Sequence, residues 1–234
     1  MSNKYYKTGD QRAAKVEDLF AKIAPRYDLI NDLQSFGLHR AWKRRMIRLA
    51  AIQSGEHALD LCCGTGDVAF AMAANGAEVT GLDFSKAMLD VARHRAKQSN
   101  PQFIQGDAQQ IPFPNNSFDV ITISYGLRNL SNWERGLEEM FRVCKPNGRI
   151  LVLDFGKPEN APWRGIYFTY LKWFVPLFGR IFCGDSATHA YILESLKNYP
   201  AQRGVEEKMR SLECKDVRVF NLLGGAMSIN YGKK

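Results

Sequence analysis

The chain has 234 residues, 45% of them hydrophobic and 24% charged, with a net charge of +8. That is ample chain for a buried core and suits one α/β domain with additions, numbered 1–234. Five cysteines without a C-x-x-C pair, one of them left over, fit a reducing cytoplasm better than a disulfide framework and suggest no metal site.

The first residues are polar and carry no apolar signal core. Residues 1–50 hold eleven Lys/Arg against five Asp/Glu. Such a basic stretch is a solvated helix face, or a surface for nucleic acid or an anionic membrane. The next segment, Leu59-Asp60-Leu61-Cys62-Cys63-Gly64-Thr65-Gly66-Asp67, reads as a buried strand, a glycine-tight turn and a helix start. Gly64, Gly66 and Ala69 also fit the dinucleotide fingerprint, with Asp83 at the distance of a ribose-binding acid. Asp60 discriminates between the two readings. A carboxylate at the end of a first strand suits a cationic amino-acid ligand and repels a pyrophosphate, which points to S-adenosylmethionine.

The same rhythm continues down the chain. Residues 77–83 form a second strand ending in Asp83, placed to take both ribose hydroxyls. Ser85 caps a helix to about Gln98. Residues 103–108 form a third strand ending in Gly106-Asp107-Ala108, and residues 118–124 a fourth, rich in β-branched side chains and ending at Ser124. A helix over 132–144, a turn at Lys145-Pro146-Asn147-Gly148 and a fifth strand over 149–155 follow. Alternating strands and helices imply a parallel sheet covered on both faces, with ligands at the strand C-ends. The fourth strand is followed by Ser124-Tyr125-Gly126-Leu127, not the Asn/Asp-Pro-Pro-aromatic run an amine-methylating enzyme wants. Cys144 reads as a small core residue, not the nucleophile of an RNA cytosine enzyme, so nucleic acid is not expected as substrate.

The order Asp60…Gly64-Thr65-Gly66, Asp83, Gly106-Asp107-Ala108 and Lys-Pro-x-Gly before a strand resembles that of class I methyltransferases. More specifically, the chain resembles the ubiquinone/menaquinone-biosynthesis C-methyltransferases. The close patches are residues 20–28 with Asn31-Asp32, residues 35–43, Ile123-Ser124-Tyr125-Gly126-Leu127-Arg128-Asn129, and residues 191–195. The resemblance runs from about residue 16 nearly to the C-terminus. One departure is Asn230, where the family commonly carries a histidine in its last strand.

The resemblance implies a Rossmann-like class I fold, a seven-stranded mostly parallel sheet with helices on both faces. It also implies a helical cap over about 10–50 and an aromatic lid over about 157–202. The cofactor-binding candidates are Asp60, Gly64, Thr65, Gly66, Asp83, Asp107, Ala108 and Ser124. The reaction it implies is methyl transfer from S-adenosylmethionine to a ring carbon of a prenylated quinol, most simply demethylmenaquinol. A ring carbon is a poor nucleophile until its neighbouring hydroxyl ionises, so the site needs a base or a cation. Arg128 is the first candidate, as electrostatic stabiliser, with Asn129 its polar companion and Tyr27 a substrate orienter or proton relay. A salt-bridged Arg128 and a core Tyr27 are the structural readings of the same residues. His39 is an acid–base candidate by its natural pKa range, and Asp154 a candidate base or structural carboxylate. Asp28, Asn31 and Asp32 would cap the N-terminal helix.

Residues 165–183 are dense in Tyr, Phe and Trp but broken by Lys172, Pro176, Gly179 and Arg180, so they do not span a membrane. They are core, or a lid whose aromatic surface meets an isoprenoid tail or the membrane interface. A cytoplasmic protein loosely associated with the inner face of the membrane follows, and a homo-oligomer is compatible with the sequence. Two other functions stay open: methylation of a different small molecule, and non-catalytic cofactor binding. The choice of naphthoquinol or benzoquinol, the tail length and the base are also open.

Overall fold

The computed structural model describes residues 31–32, 34–96, 100–177 and 186–234. Tyr27, Asp28 and residues 178–185 lie outside the described residues. In chain order the elements are α1 (Leu38–Ala50), β1 (His57–Leu61), α2 (Asp67–Ala74), β2 (Glu78–Asp83), α3 (Lys86–Arg95), β3 (Gln102–Gln105) and β4 (Phe118–Ser124). They continue with a 3-10 turn (Leu127–Asn129), α4 (Trp133–Val143), β5 (Cys144–Phe155), α5 (Ala161–Thr169), a π-helical turn (Tyr170–Phe174), α6 (Ser186–Asn198), α7 (Ala201–Ser211), β6 (Lys215–Leu222) and β7 (Met227–Lys233).

The seven strands form one sheet in the order β3-β2-β1-β4-β5-β7-β6. Five are parallel neighbours, and β7 runs antiparallel between β5 and β6. Alternation along the central strands divides the core. Leu59, Leu61, Ile121 and Ile123 face α4, α6, α7 and the π-helical turn, whereas Ala58 and Val120 face α1, α2 and α3. Strands buried on both faces explain the near-continuous apolar runs of β1 and β4.

Local chemistry sets the helix starts. The Ser85 hydroxyl accepts from the Met88 N–H, the Asn132 side chain from Arg135 and the Asn160 side chain from Trp163. The fifth strand begins earlier than the sequence suggests, at Cys144, because Phe118 already pairs with Cys144 before the register breaks at the Lys145–Gly148 turn and resumes at Val120 with Arg149. The third strand ends at Gln105, and Gly106-Asp107-Ala108 is the turn that follows it. The sheet reverses direction of growth between β1 and β4, which opens a crevice at their C-ends.

Candidate active site

The crevice is a cleft of about 790 Å³, part of it open to solvent. On one wall are Gly64, Asp83, Asp107 and Ala108, and on the other Ser124, Tyr125, Gly126 and Asn129. The structure therefore brings together most of the residues expected from the sequence. The turn that forms the floor needs left-handed backbone at Cys62, Gly64 and Gly66. A Cβ on Gly64 would meet nothing within 4 Å, so the turn's own packing leaves that space for a ligand. A Cβ on Gly66 would instead lie 2.8 Å from the Phe70 ring and 2.9 Å from that of Phe103.

Asp83 accepts from the Gly64 N–H at 2.8 Å through one oxygen and from the Ser85 N–H at 2.9 Å through the other. Burial pushes its carboxyl up, and these N–H donors oppose the shift. The Phe84 N–H is a third donor to the same carboxylate, which leaves acceptor capacity for a ligand hydroxyl. Asp107 caps its own turn, accepting from the Gln109 N–H at 2.8 Å.

Asp60 and Thr65 are buried under the turn rather than on the cleft wall. Asp60 accepts from the Thr122 hydroxyl across the β1–β4 pair at 2.7 Å. Burial pushes its carboxyl up to about 7, opposed by the Thr122 hydroxyl and the Lys43 charge. Beside it, Asp67 opens α2 and binds Lys43 of α1 at 3.1 Å and Arg95 of α3 at 2.8 Å. Arg95 also donates to the Thr65 carbonyl of the turn.

On the opposite wall, Tyr125 has a φ of +59° and turns the chain sharply after Ser124. Its carbonyl accepts from the Arg128 guanidinium and from Asn129 Nδ2. Arg128 and Asp154 are a buried ion pair, 6% and 2% exposed, joined at 2.8 Å, with the Arg128 N–H donating to the second carboxylate oxygen. The guanidinium also sits 4.6 Å from the centre of the Phe155 ring. Arg128 is thus behind the wall, and Asn129 is on it. Asn129 Oδ1 is buried and has no hydrogen-bond partner among the described residues.

His39 is buried beside Ser35, with Nδ1 2.8 Å from the Ser35 hydroxyl. That hydroxyl donates to the Asn31 carbonyl, so Nδ1 carries the ring proton. Burial and the Lys43 charge lower its pKa, against the pull of the Asp32 carboxylate. Asn230 is buried in β7 and donates to the Gln202 carbonyl, which pins α7 to the sheet. Sequence reasoning missed Cys62, Phe84, Met88, Gln109 and Leu130 on the cleft wall. Phe84 follows Asp83 directly and Gln109 follows Ala108, so adjacency to the acids was the available signal.

The strand order, the glycine turn and the acids at the ends of the first three strands define a class I S-adenosylmethionine-dependent methyltransferase. Solved structures share the fold. A methyltransferase of Thermotoga maritima described as a possible histamine N-methyltransferase superposes with a TM-score of 0.63 at 15% identity, over 93% of this chain and 99% of that one. Residues 7–234 match the ubiE/COQ5 methyltransferase family, and the chain belongs to it. The ubiquinone/menaquinone biosynthesis C-methyltransferase UbiE of Azotobacter vinelandii is 39% identical over 231 residues, covering 96% of this chain and 91% of that protein. The demethylmenaquinone methyltransferase of Listeria welshimeri is 36% identical, covering 96% and 98%. The cofactor is S-adenosyl-L-methionine.

Proposed function

We propose that this methyltransferase transfers a methyl group to a ring carbon of a prenylated quinol, with demethylmenaquinol as the acceptor. The observation that carries this reading is Asn129. Its Nδ2 donates to the Tyr125 carbonyl, which fixes the amide at the cleft wall, and its Oδ1, just beneath that surface, has no hydrogen-bond partner among the described residues. An unpaired buried acceptor there calls for a ligand donor, and a phenol-type O–H supplies one. The oxidised quinone has no such proton, so the wall favours the reduced form. Menaquinone occurs in the names of both the A. vinelandii and the L. welshimeri relatives, and ubiquinone in the first as well, so the naphthoquinol is the acceptor the two names share.

The cleft fits the cofactor. Gly64 leaves space that any side chain would fill, Asp83 keeps acceptor capacity for ribose hydroxyls, and Leu82, Phe84, Met88 and Ala108 offer an apolar slot for a flat base. S-adenosylmethionine, when bound, supplies an electrophilic methyl group on a cationic sulfur. The residues of the chain align and desolvate the acceptor. Asn129 Oδ1 receives the hydroxyl and orients the ring. Arg128 stays protonated, held by Asp154 behind the wall, and by donating to the Tyr125 carbonyl it keeps Asn129 in position. Tyr27 is a second orienting residue on motif grounds. Asp60 acts through the turn it supports. In this reading residues of about 157–202 cover the acceptor side, and about 10–50 cover the cofactor.

The test is incubation of the purified protein with labelled S-adenosylmethionine and either reduced demethylmenaquinone or its benzoquinol analogue, with the product identified by mass. Methylated naphthoquinol is the expected product. Binding of the cofactor with methylation of neither ring would overturn the assignment.

A further inference from the structure

Two stretches far apart in sequence meet at the rim above the strand C-ends. The Tyr170 hydroxyl donates to the Gln34 carbonyl at 3.1 Å, which joins the turn at residues 34–38 to the segment 166–177. Both stretches present large apolar side chains to solvent. Phe36 is 78% exposed, Trp173 64% and Phe174 54%, with Ile166, Leu177 and Leu38 also exposed. The second stretch is two-sided. Tyr167, Leu171 and Val175, four residues apart, are its core face, so core packing does not account for Trp173, Phe174 and Leu177. Phe36 is held outward on a backbone with a φ of +50°, unusual for a bulky residue.

The position of this rim is fixed by α1. Met46 lies against Ser124 at the C-end of β4, and the Ala51 carbonyl accepts from Arg149 at the other end of the sheet. α1 therefore runs antiparallel to the central strands. Its N-terminal end, with Leu38 as its first residue and Phe36 just before it, projects past the edge at which the cleft opens. The outward side of α1 carries Arg40, Arg44, Arg45 and Arg48, all exposed, and Lys172 lies over the Trp173 ring. Asp32 pairs with Arg40, and Arg45 covers Phe220, while Arg44, Arg48 and Lys172 are exposed.

We propose that this rim is a docking face for an anionic lipid bilayer. Trp173, Phe174, Leu177, Phe36 and Leu38 enter the interface, while Lys172 and the α1 arginines meet the headgroups. Aromatic rings settle at the boundary between hydrocarbon and water, and clustered basic side chains add attraction to anionic lipid. The same charges disfavour a second copy as occupant, because a two-fold contact would bring the two basic helices together. Among the described residues no helix is long and apolar enough to cross a membrane, so the attachment is peripheral. The inference rests on the exposed rim and not on the acceptor's identity, although a prenylated acceptor would give the face its use.

The test uses the full chain without quinol, so that its outcome is separate from that of the methylation assay. Co-sedimentation with vesicles of phosphatidylglycerol and phosphatidylcholine is compared with phosphatidylcholine alone. Binding to the anionic vesicles that weakens with salt is expected, with about a tenfold or greater loss in Trp173→Ser/Phe174→Ser and in Arg44→Glu/Arg48→Glu. The second variant changes only exposed helix positions and keeps the test valid if the first melts early. Absence of binding by the parent, or equal binding by both variants, overturns the proposal. So does a parent dimer, seen by light scattering, that the aromatic replacements dissociate.

Discussion

Removing the Arg128 side chain strands Asp154 in apolar surroundings, because the two are each other's main compensation. Loss of one partner of a buried pair costs about 3–5 kcal/mol. Arg128→Ala is therefore expected to lower the melting temperature as well as turnover, and Arg128→Met/Asp154→Leu to recover much of the stability but not the activity. Equal melting of parent and Arg128→Ala would show the pair to be energetically idle. Asp60 gives a pH signature of the opposite kind. Its carboxyl goes from an ordinary 3.8 to about 7 in the fold. Between those values the folded state keeps a proton that the unfolded chain has released, so stability falls as pH rises through the window and the loss is complete above it. Asp60→Asn keeps an acceptor for Thr122 and does not ionise. Its melting advantage over the parent should grow from about pH 5 to about pH 8; parallel melting curves would refute this. The acids themselves were legible in the sequence, because each follows an apolar strand. Their partners were not. The pairing of Arg128 with Asp154 depends on β4 and β5 lying side by side with Ser124 opposite Leu153, a register that no local pattern encodes.

At the scale of elements, the glycine turn separates two uses of the same residue type. Gly64→Ala puts a methyl group into open cleft, at a left-handed residue that costs about 1–2 kcal/mol for any side chain. Gly66→Ala forces a methyl group against Phe70 and Phe103 as well. The first variant should lose cofactor affinity strongly, by calorimetry, with a small drop in melting temperature; the second should show the larger drop. The reverse order would mean that Gly64 is a packing residue. The turn was evident from its glycines, but their division of labour depends on a phenylalanine on α2 and another on β3, brought together only by the sheet. The aromatic stretch after β5 was similarly half-readable. Its composition suggested core or surface, and the structure divides it between both, because burial repeats at 167, 171 and 175 while Ile166, Trp173, Phe174 and Leu177 face outward.

For the molecule as a whole, the alternation of strands and helices specified the parallel part of the sheet, and the cleft followed from the reversal between β1 and β4. The antiparallel insertion of β7 between β5 and β6 has no comparable sequence signal, since it is set by which edge of the sheet remains open. One side of that sheet is covered by α1, α2 and α3, and these three meet at a single carboxylate. Asp67 takes Lys43 from the first, begins the second itself and takes Arg95 from the third, whose other nitrogen reaches the turn at Thr65. Burial raises the Asp67 carboxyl, yet the Lys43 and Arg95 charges outweigh it and hold it below the usual range. Asp67→Asn should speed amide hydrogen exchange in α1 and α3 together and leave α4 on the opposite face unchanged; faster exchange in only one of the two would contradict a shared tie. Three separate covers thereby share one mooring, and a single uncharged atom put in its place would loosen all of them from the turn at once.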